Sequence, residues 1–156
     1  ICENNLYSVY SPLSVRQPDS RQIFKMVESL GLKSYSADSR NIKDCLSTFK
    51  SSVDYVRSER KPAFIEISAY RWREHCGPNY DNDLSYRTEQ EFQKWKKDDP
   101  LDNIEKFIFE NQLISENVFQ SFKEETESEI EIAFDFAEKS SFPNISEALI
   151  DEYASN

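Results

Sequence analysis

The chain has 156 residues, 38 % hydrophobic and 31 % charged, with eleven Phe and eight Tyr, which excludes a disordered segment and leaves room for one domain with a core. A formal charge of −10 argues against non-specific nucleic-acid binding, which rests on Lys and Arg neutralising phosphates. Cys2, Cys45 and Cys76 are far apart with no CxxC spacing, and there is a single histidine, so a zinc site is excluded and a reducing cytosol fits best.

The opening ICENN reads as the end of a buried strand, and a start without methionine is expected of a fragment whose upstream half is absent. Residues 6–18 are polar and hold Pro12 and Pro18, which predicts a loop. Asp19 and Gln22 have the spacing of a capping box, and Ile23, Phe24, Val27 and Leu30 form a helical stripe that ends at Gly31. A short strand is predicted over residues 32–36. A second helix is predicted over residues 41–58, with Ile42, Cys45, Leu46, Phe49, Val53 and Val56 on one side.

Lys61 and Pro62 stop that helix, and PAFIEISAY follows as a strand. Ala63, Ile65, Ile67 and Ala69 line one face of it, while Phe64 leaves the other partly apolar. Helix, strand, helix, strand is the rhythm of a parallel α/β sheet, whose ligands bind at the carboxyl ends of the strands. Beyond residue 87 the pattern is helical. Thr88 and Glu91 make a capping box, and Asp99-Pro100 starts a helix carrying Leu101, Ile104, Phe107 and Ile108. Ser115 caps a long helix to about Lys139 with Val118, Phe122, Ile132 and Phe136 as its apolar line; SSFPNIS breaks it, and a last short helix starts near Ser146. The fold class expected is α/β: a parallel-sheet portion over residues 1–87, then a helical tail over residues 88–156. No apolar run has the length of a membrane span, so a membrane role is not expected.

The chemistry-bearing residues concentrate at two strand ends. CENNLY puts two side-chain amides after the first strand; an amide oxygen suits magnesium, although Asn-Asn is also an ordinary turn signal. YRWREHCGPNYDND, residues 70–83, holds the only histidine and one of only two glycines. His75 has the chemistry of a general acid or base, or of a donor to phosphate. Arg71 and Arg73 have the planar fork that grips diphosphate, or they are surface arginines paired with Glu66, Glu74 or Asp81. NYDND is not a calcium loop, because Leu84 stands where the sixth-position glycine belongs and Gln90 where the glutamate belongs. Cys76 beside His75 has no visible second base that would make it a nucleophile.

Taken in order, CENNLYS, SAYRWREHC, SYRTEQEFQKWKKDDPLDNI and the ending IDEYA resemble the alpha subunit of thiamine-diphosphate-dependent 2-oxoacid dehydrogenases, over nearly the whole length. In that family a cofactor motif begins with Gly-Asp-Gly and ends with Asn-Asn. The resemblance implies that Asn5 gives a side-chain oxygen and Tyr7 a backbone carbonyl to magnesium. It implies that Arg71 and His75 bind the cofactor and that His75 is catalytic. Gly-Asp-Gly itself does not occur here. Cys76 replaces the serine that many relatives carry after the histidine, so the phosphorylation switch is not expected, and SADSRN, with Ala37 to Asn41, stands where relatives commonly have an Asp-Gly turn, so that turn is expected to differ in geometry.

The resemblance further implies that a 2-oxoacid is decarboxylated on thiamine diphosphate and that its acyl group passes to a lipoyl carrier. The expected partners are a beta-type subunit, which brings the activating glutamate, and a lipoyl-bearing acyltransferase. A cytoplasmic alpha–beta heterotetramer is the expected setting. Two rival readings stand beside this one: a carboligase or specialised sugar-pathway enzyme using the same cofactor, and a non-catalytic acidic interaction module.

Overall fold

The structure, a computed structural model, describes residues 1–150. Two compact units divide the chain, Ile1–Phe107 and Ile108–Asn156. In the first, β1 (Cys2–Asn4), β2 (Tyr7–Ser8), β3 (Ser11–Pro12), the short α1 (Leu13–Arg16), α2 (Ile23–Ser29), β4 (Lys33–Asp38), α3 (Ile42–Glu59) and β5 (Ala63–Ser68) follow one another. A 3-10 turn (Asn82–Leu84), α4 (Glu89–Lys97) and the start of α5 (Pro100–Glu110) come next.

The expected α/β class is observed. The order β1-β5-β4 makes a three-stranded sheet, and both pairings are parallel. Cys2 lies opposite Glu66, and Asp38 lies opposite Ser68. β5 is central because its Ile65 and Ile67 are buried; with Ala37, Cys45 and the partly buried Tyr35 and Phe49 they form the core against α3. Each such isoleucine contributes about 1.5–3 kcal/mol by leaving water. Side chains alternate along a strand, so Glu66 points to the opposite face, where its Oε2 accepts from the Phe24 backbone N–H at 2.9 Å.

Several local expectations change. Residues 6–18 form a minimal hairpin, in which Tyr7 pairs with Pro12, and a single helical turn. α2 starts at Ile23, later than the proposed Asp19–Gln22 box: Gln22 is the N-cap without a side-chain bond, and Glu66 meets the helix start instead. β4 runs on to Asp38, past the predicted end at residue 36, because β5 offers it a partner through Ser68. On α3, Asn41 caps through its Oδ1, which accepts the Asp44 N–H at 3.2 Å, and Arg60 closes the helix in the left-handed region at φ 52°. The buried line of α3 includes Cys45 and Ser52, while Leu46, Val53 and Val56 are exposed. The stripe read from the sequence is thus rotated relative to the surface the sheet covers.

In the second unit, α6 (Glu116–Lys139) begins where Ser115 Oγ accepts the Val118 N–H at 3.4 Å. The Phe109 and Phe119 rings meet edge to face at 5.1 Å. The apolar line anticipated for α6 is present but uncovered: Phe122 is 52 % and Phe136 74 % exposed. Periodicity marks an apolar face; it does not supply the surface that buries it. The last turn is a 3-10 helix, Ile145–Leu149, with a capping box between Asn144 and Glu147. Residues 151–154 of the IDEYA ending lie outside the described residues.

Candidate functional site

Because β1 and β5 are parallel neighbours, both chains leave the sheet on the same edge. Asn4 lies opposite Ser68, and the Ala69 N–H extends the ladder to the Asn4 carbonyl at 3.0 Å. The Asn-Asn turn and the loop that starts at Tyr70 therefore emerge side by side, which is where parallel sheets bind ligands.

The turn is built from two consecutive side-chain caps. Asn4 Oδ1 accepts the Leu6 N–H at 3.3 Å, and Asn5 Oδ1 accepts the Tyr7 N–H at 3.1 Å. Leu6 between them sits at φ 71°, a left-handed geometry that costs a non-glycine residue energy and that short Asn bonds help to hold. Asn4 Nδ2 donates to Glu66 Oε1 at 2.7 Å. Glu66, buried in the central strand, thus joins the turn to the start of α2.

Tyr7 lies in β2 and reaches away from the sheet. Its hydroxyl donates to the Glu91 carboxylate, 2.8 Å from Oε1 and 3.0 Å from Oε2. Tyr70 donates to Glu91 Oε1 at 3.1 Å. Burial, reinforced by the Glu91 bond, raises the Tyr7 phenol well above its ordinary value. Burial, then the Glu91 charge, pushes Tyr70 up to about 12. Both therefore remain proton donors at neutral pH. The predicted Thr88–Glu91 capping box is half formed: Thr88 Oγ1 accepts the Glu91 N–H at 3.1 Å, but the Glu91 carboxylate goes to the two tyrosines.

Loop 70–87 is organised around Arg87 and Asp81. The Arg87 side chain is 0 % exposed and that of Asp81 2 %, and the two form an ion pair. Arg87 also donates to the carbonyls of Arg71 and Trp72, and its guanidinium lies over the Tyr70, Tyr86 and Phe92 rings. Tyr86 Oη donates to Asp81 Oδ2 at 2.8 Å. Burial raises the Tyr86 pKa, and the bond to Asp81 raises it further.

Of the residues singled out from the sequence, Arg71 joins this framework. Its Nη2 donates to the Val9 carbonyl at 3.0 Å and to Tyr86 Oη at 2.9 Å, and lies 3.8 Å from Asp81. It thereby ties the loop to the β2–β3 hairpin next to Tyr7. Arg73 donates to the Pro78 carbonyl at 2.9 Å and lies over the Tyr80 ring at 4.0 Å. His75 is exposed at the tip of a turn closed by Glu74 N–H donating to the Asn79 carbonyl at 2.9 Å, and by Asn79 Nδ2 donating to Glu74 Oε1 at 2.8 Å. Asn5 and Tyr7 thus connect to Arg71 through the contact of the Tyr7 and Tyr86 rings at 5.2 Å. Among the described residues, no hydrogen bond, ion pair or ring contact joins His75 to Asn5 or Tyr7.

Sequence reasoning named Asp81 as a partner for Arg71, and the two lie 3.8 Å apart, but it missed Glu66, Glu91 and Arg87 as structural centres. A glutamate inside an otherwise apolar strand was a usable signal, because a buried carboxylate demands donors. Glu91 gave none beyond its capping position, since its partners are 84 and 21 residues away.

As a metal centre, the donor set is narrow. The Asn5 amide oxygen and the Tyr7 carbonyl are hard neutral oxygens that suit magnesium. Among the described residues, no group of three His, Cys, Asp or Glu could hold a metal ion.

Fold and side-chain network together define a parallel α/β protein in which an Asn-Asn turn and an arginine-braced loop leave one sheet edge side by side. Residues 1–146 match the family model for the dehydrogenase E1 component, and the chain belongs to that family. It is 29 % identical over 144 residues to the pyruvate dehydrogenase E1 component subunit alpha of Rickettsia bellii, covering 92 % of this chain and 43 % of that protein. The Rickettsia typhi protein of the same name is 29 % identical over 153 residues, covering 98 % of this chain and 46 % of that one. The one from Porphyra purpurea is 27 % identical over 147 residues, covering 94 % and 42 %. The chain spans less than half the length of these relatives.

Proposed function

We propose that these residues form one wall of a magnesium–thiamine diphosphate site in the alpha subunit of a 2-oxoacid dehydrogenase. The observation that carries this reading is the shared sheet edge: β1 and β5 end side by side, in register at Asn4 and Ser68, and release the Asn5–Tyr7 turn beside the loop braced by Arg71. Family membership over residues 1–146 supports the cofactor class. The names of the relatives favour a dehydrogenase acting on pyruvate or a similar 2-oxoacid over a carboligase or a non-catalytic module.

In this reading Asn5 gives its Oδ1 and Tyr7 its carbonyl to magnesium, and Glu66 holds the turn from behind through Asn4. When bound, thiamine diphosphate supplies the nucleophilic carbon and the electron sink for decarboxylation. Arg71 keeps the loop against the hairpin and adds positive charge beside the diphosphate. His75, exposed on a closed turn, hydrogen-bonds the diphosphate or holds a proton near the reacting carbonyl, work worth about 10²–10⁴-fold in rate when a histidine performs it. A beta-type subunit completes the site with the activating glutamate. A lipoyl-bearing acyltransferase receives the acyl group. The three cysteines Cys2, Cys45 and Cys76, all free, accord with a cytoplasmic assembly.

The test is to assemble the full-length alpha chain with its beta subunit and supply pyruvate and branched 2-oxoacids with magnesium, thiamine diphosphate and a lipoyl acceptor. Acyl transfer to the lipoyl group is expected with at least one of them. Carboligation products without acyl transfer would overturn the assignment.

A further inference from the structure

We infer that Glu91 is a positioning residue for the metal-binding turn, setting the Asn5 and Tyr7 oxygens through the Tyr7 phenol; this rests on the cofactor reading above. Glu91 is far from Tyr7 in sequence, and no feature of the turn itself calls for it. Both of its carboxylate oxygens nevertheless accept the Tyr7 hydroxyl, at 2.8 and 3.0 Å, and Oε1 also accepts Tyr70 at 3.1 Å.

The lever is short and has few free torsions. Tyr7 has only two side-chain dihedrals, so anchoring its hydroxyl constrains the Cα from which the Tyr7 carbonyl projects. The same residue donates its N–H to Asn5 Oδ1 at 3.1 Å. Anchoring Tyr7 therefore orients both proposed ligand oxygens at once. The edge-to-face contact of the Tyr7 and Tyr86 rings at 5.2 Å limits the remaining swing of the ring. On the other side, Glu91 is itself fixed. Its N–H is bound by Thr88 in the first turn of α4, where a negative side chain is favoured by the helix dipole. Tyr70, the second donor, follows β5 by two residues, so the carboxylate links the exits of both neighbouring strands to α4.

Glu91 also lines a cavity of about 330 Å³ with Leu6, Tyr7, Leu13, Gln17 and Arg21. Room on that side means that a Tyr7 ring released from Glu91 has somewhere to go. Loss of the carboxylate should then spread the ring over several positions and disorder the turn, rather than leave it trapped in place.

The experiment uses the assembled enzyme. Binding of magnesium with thiamine diphosphate is measured calorimetrically, and turnover is measured across a magnesium titration, for the wild type, Glu91→Ala, Glu91→Gln, Tyr7→Phe and Tyr70→Phe. Glu91→Ala and Tyr7→Phe are each expected to weaken magnesium-dependent binding about tenfold, equivalent to 1.4 kcal/mol. At saturating magnesium, turnover of Glu91→Ala should return to within about twofold of the wild type. Glu91→Gln, which keeps one acceptor oxygen, should recover part of the affinity, and Tyr70→Phe should weaken binding less than Tyr7→Phe. Adding Glu91→Ala to Tyr7→Phe should cost little more, since both remove one interaction. Unchanged affinity in Glu91→Ala and Tyr7→Phe overturns the inference, as does a fall in turnover at saturating magnesium with unchanged affinity. If Glu91→Ala does not assemble, Tyr7→Phe decides alone, because it keeps the ring and removes only the hydroxyl. A wild-type enzyme that binds no magnesium–thiamine diphosphate instead overturns the cofactor reading itself.

Discussion

Replacing Arg87 with methionine should release loop 70–87 while leaving the sheet intact. Arg87 is fully buried and holds three partners: Asp81, the Arg71 carbonyl and the Trp72 carbonyl. Methionine fills much of the volume but bonds none of them. Breaking one side of a buried ion pair typically costs about 3–5 kcal/mol, because the remaining charge stays buried without its partner. Asp81 keeps the Tyr86 hydroxyl at 2.8 Å and Arg71 at 3.8 Å, so the lower end of that range, about 3 kcal/mol, applies here. A local opening free energy reduced by about 3 kcal/mol raises hydrogen exchange by roughly two orders of magnitude. Mass-spectrometric exchange on the assembled enzyme reads this directly. The amides of Glu74 and Leu84, which donate to Asn79 and Asp81 within the loop, should exchange about a hundredfold faster, while those of β5 change little. A rise of less than about tenfold would refute the claim that this ion pair organises the loop.

In the assembled enzyme, His75→Ala should lower turnover more than it lowers cofactor affinity; unchanged turnover would remove His75 from the site. The 156-residue chain on its own should bind magnesium–thiamine diphosphate weakly or not at all by calorimetry, because it offers two neutral oxygens and, among the described residues, no cluster of metal-binding carboxylates; micromolar affinity would contradict this. Tyr70 has a folded pKa raised to about 12, so it contributes stability below its unfolded value near 10 that is lost as pH rises from there through the folded value. Thermal melts should therefore show a stability loss between about pH 10 and 12 that shrinks in Tyr70→Phe. At the acid end, the Arg40 hydrogen bond holds Asp38 low and the Lys96 hydrogen bond holds Asp99 low. Each adds stability above the ordinary carboxylate range that disappears as pH falls through its depressed folded pKa. Melts below about pH 4 should show a shallower slope in the double variant Asp38→Asn, Asp99→Asn.

Local chemistry made much of this protein readable in one dimension. The alternation in PAFIEISAY marked a strand whose Ile65 and Ile67 are buried, and Asn41, Thr88 and Ser115 marked helix starts, because caps and pleats are short-range physics. The order of CENNLY, YRWREHC and SYRT carried the family, and with it the cofactor proposal. Other features could only be decided in three dimensions. Which face of α3 meets the sheet, why α2 starts at Ile23, and where the Glu66 and Glu91 carboxylates find donors all depend on contacts between distant residues. A carboxylate leaving water must be satisfied by whatever donors the fold brings within about 3 Å. For Glu91 those donors are Tyr7 at the start of β2 and Tyr70 two residues past β5, and spacing along the chain does not encode that distance.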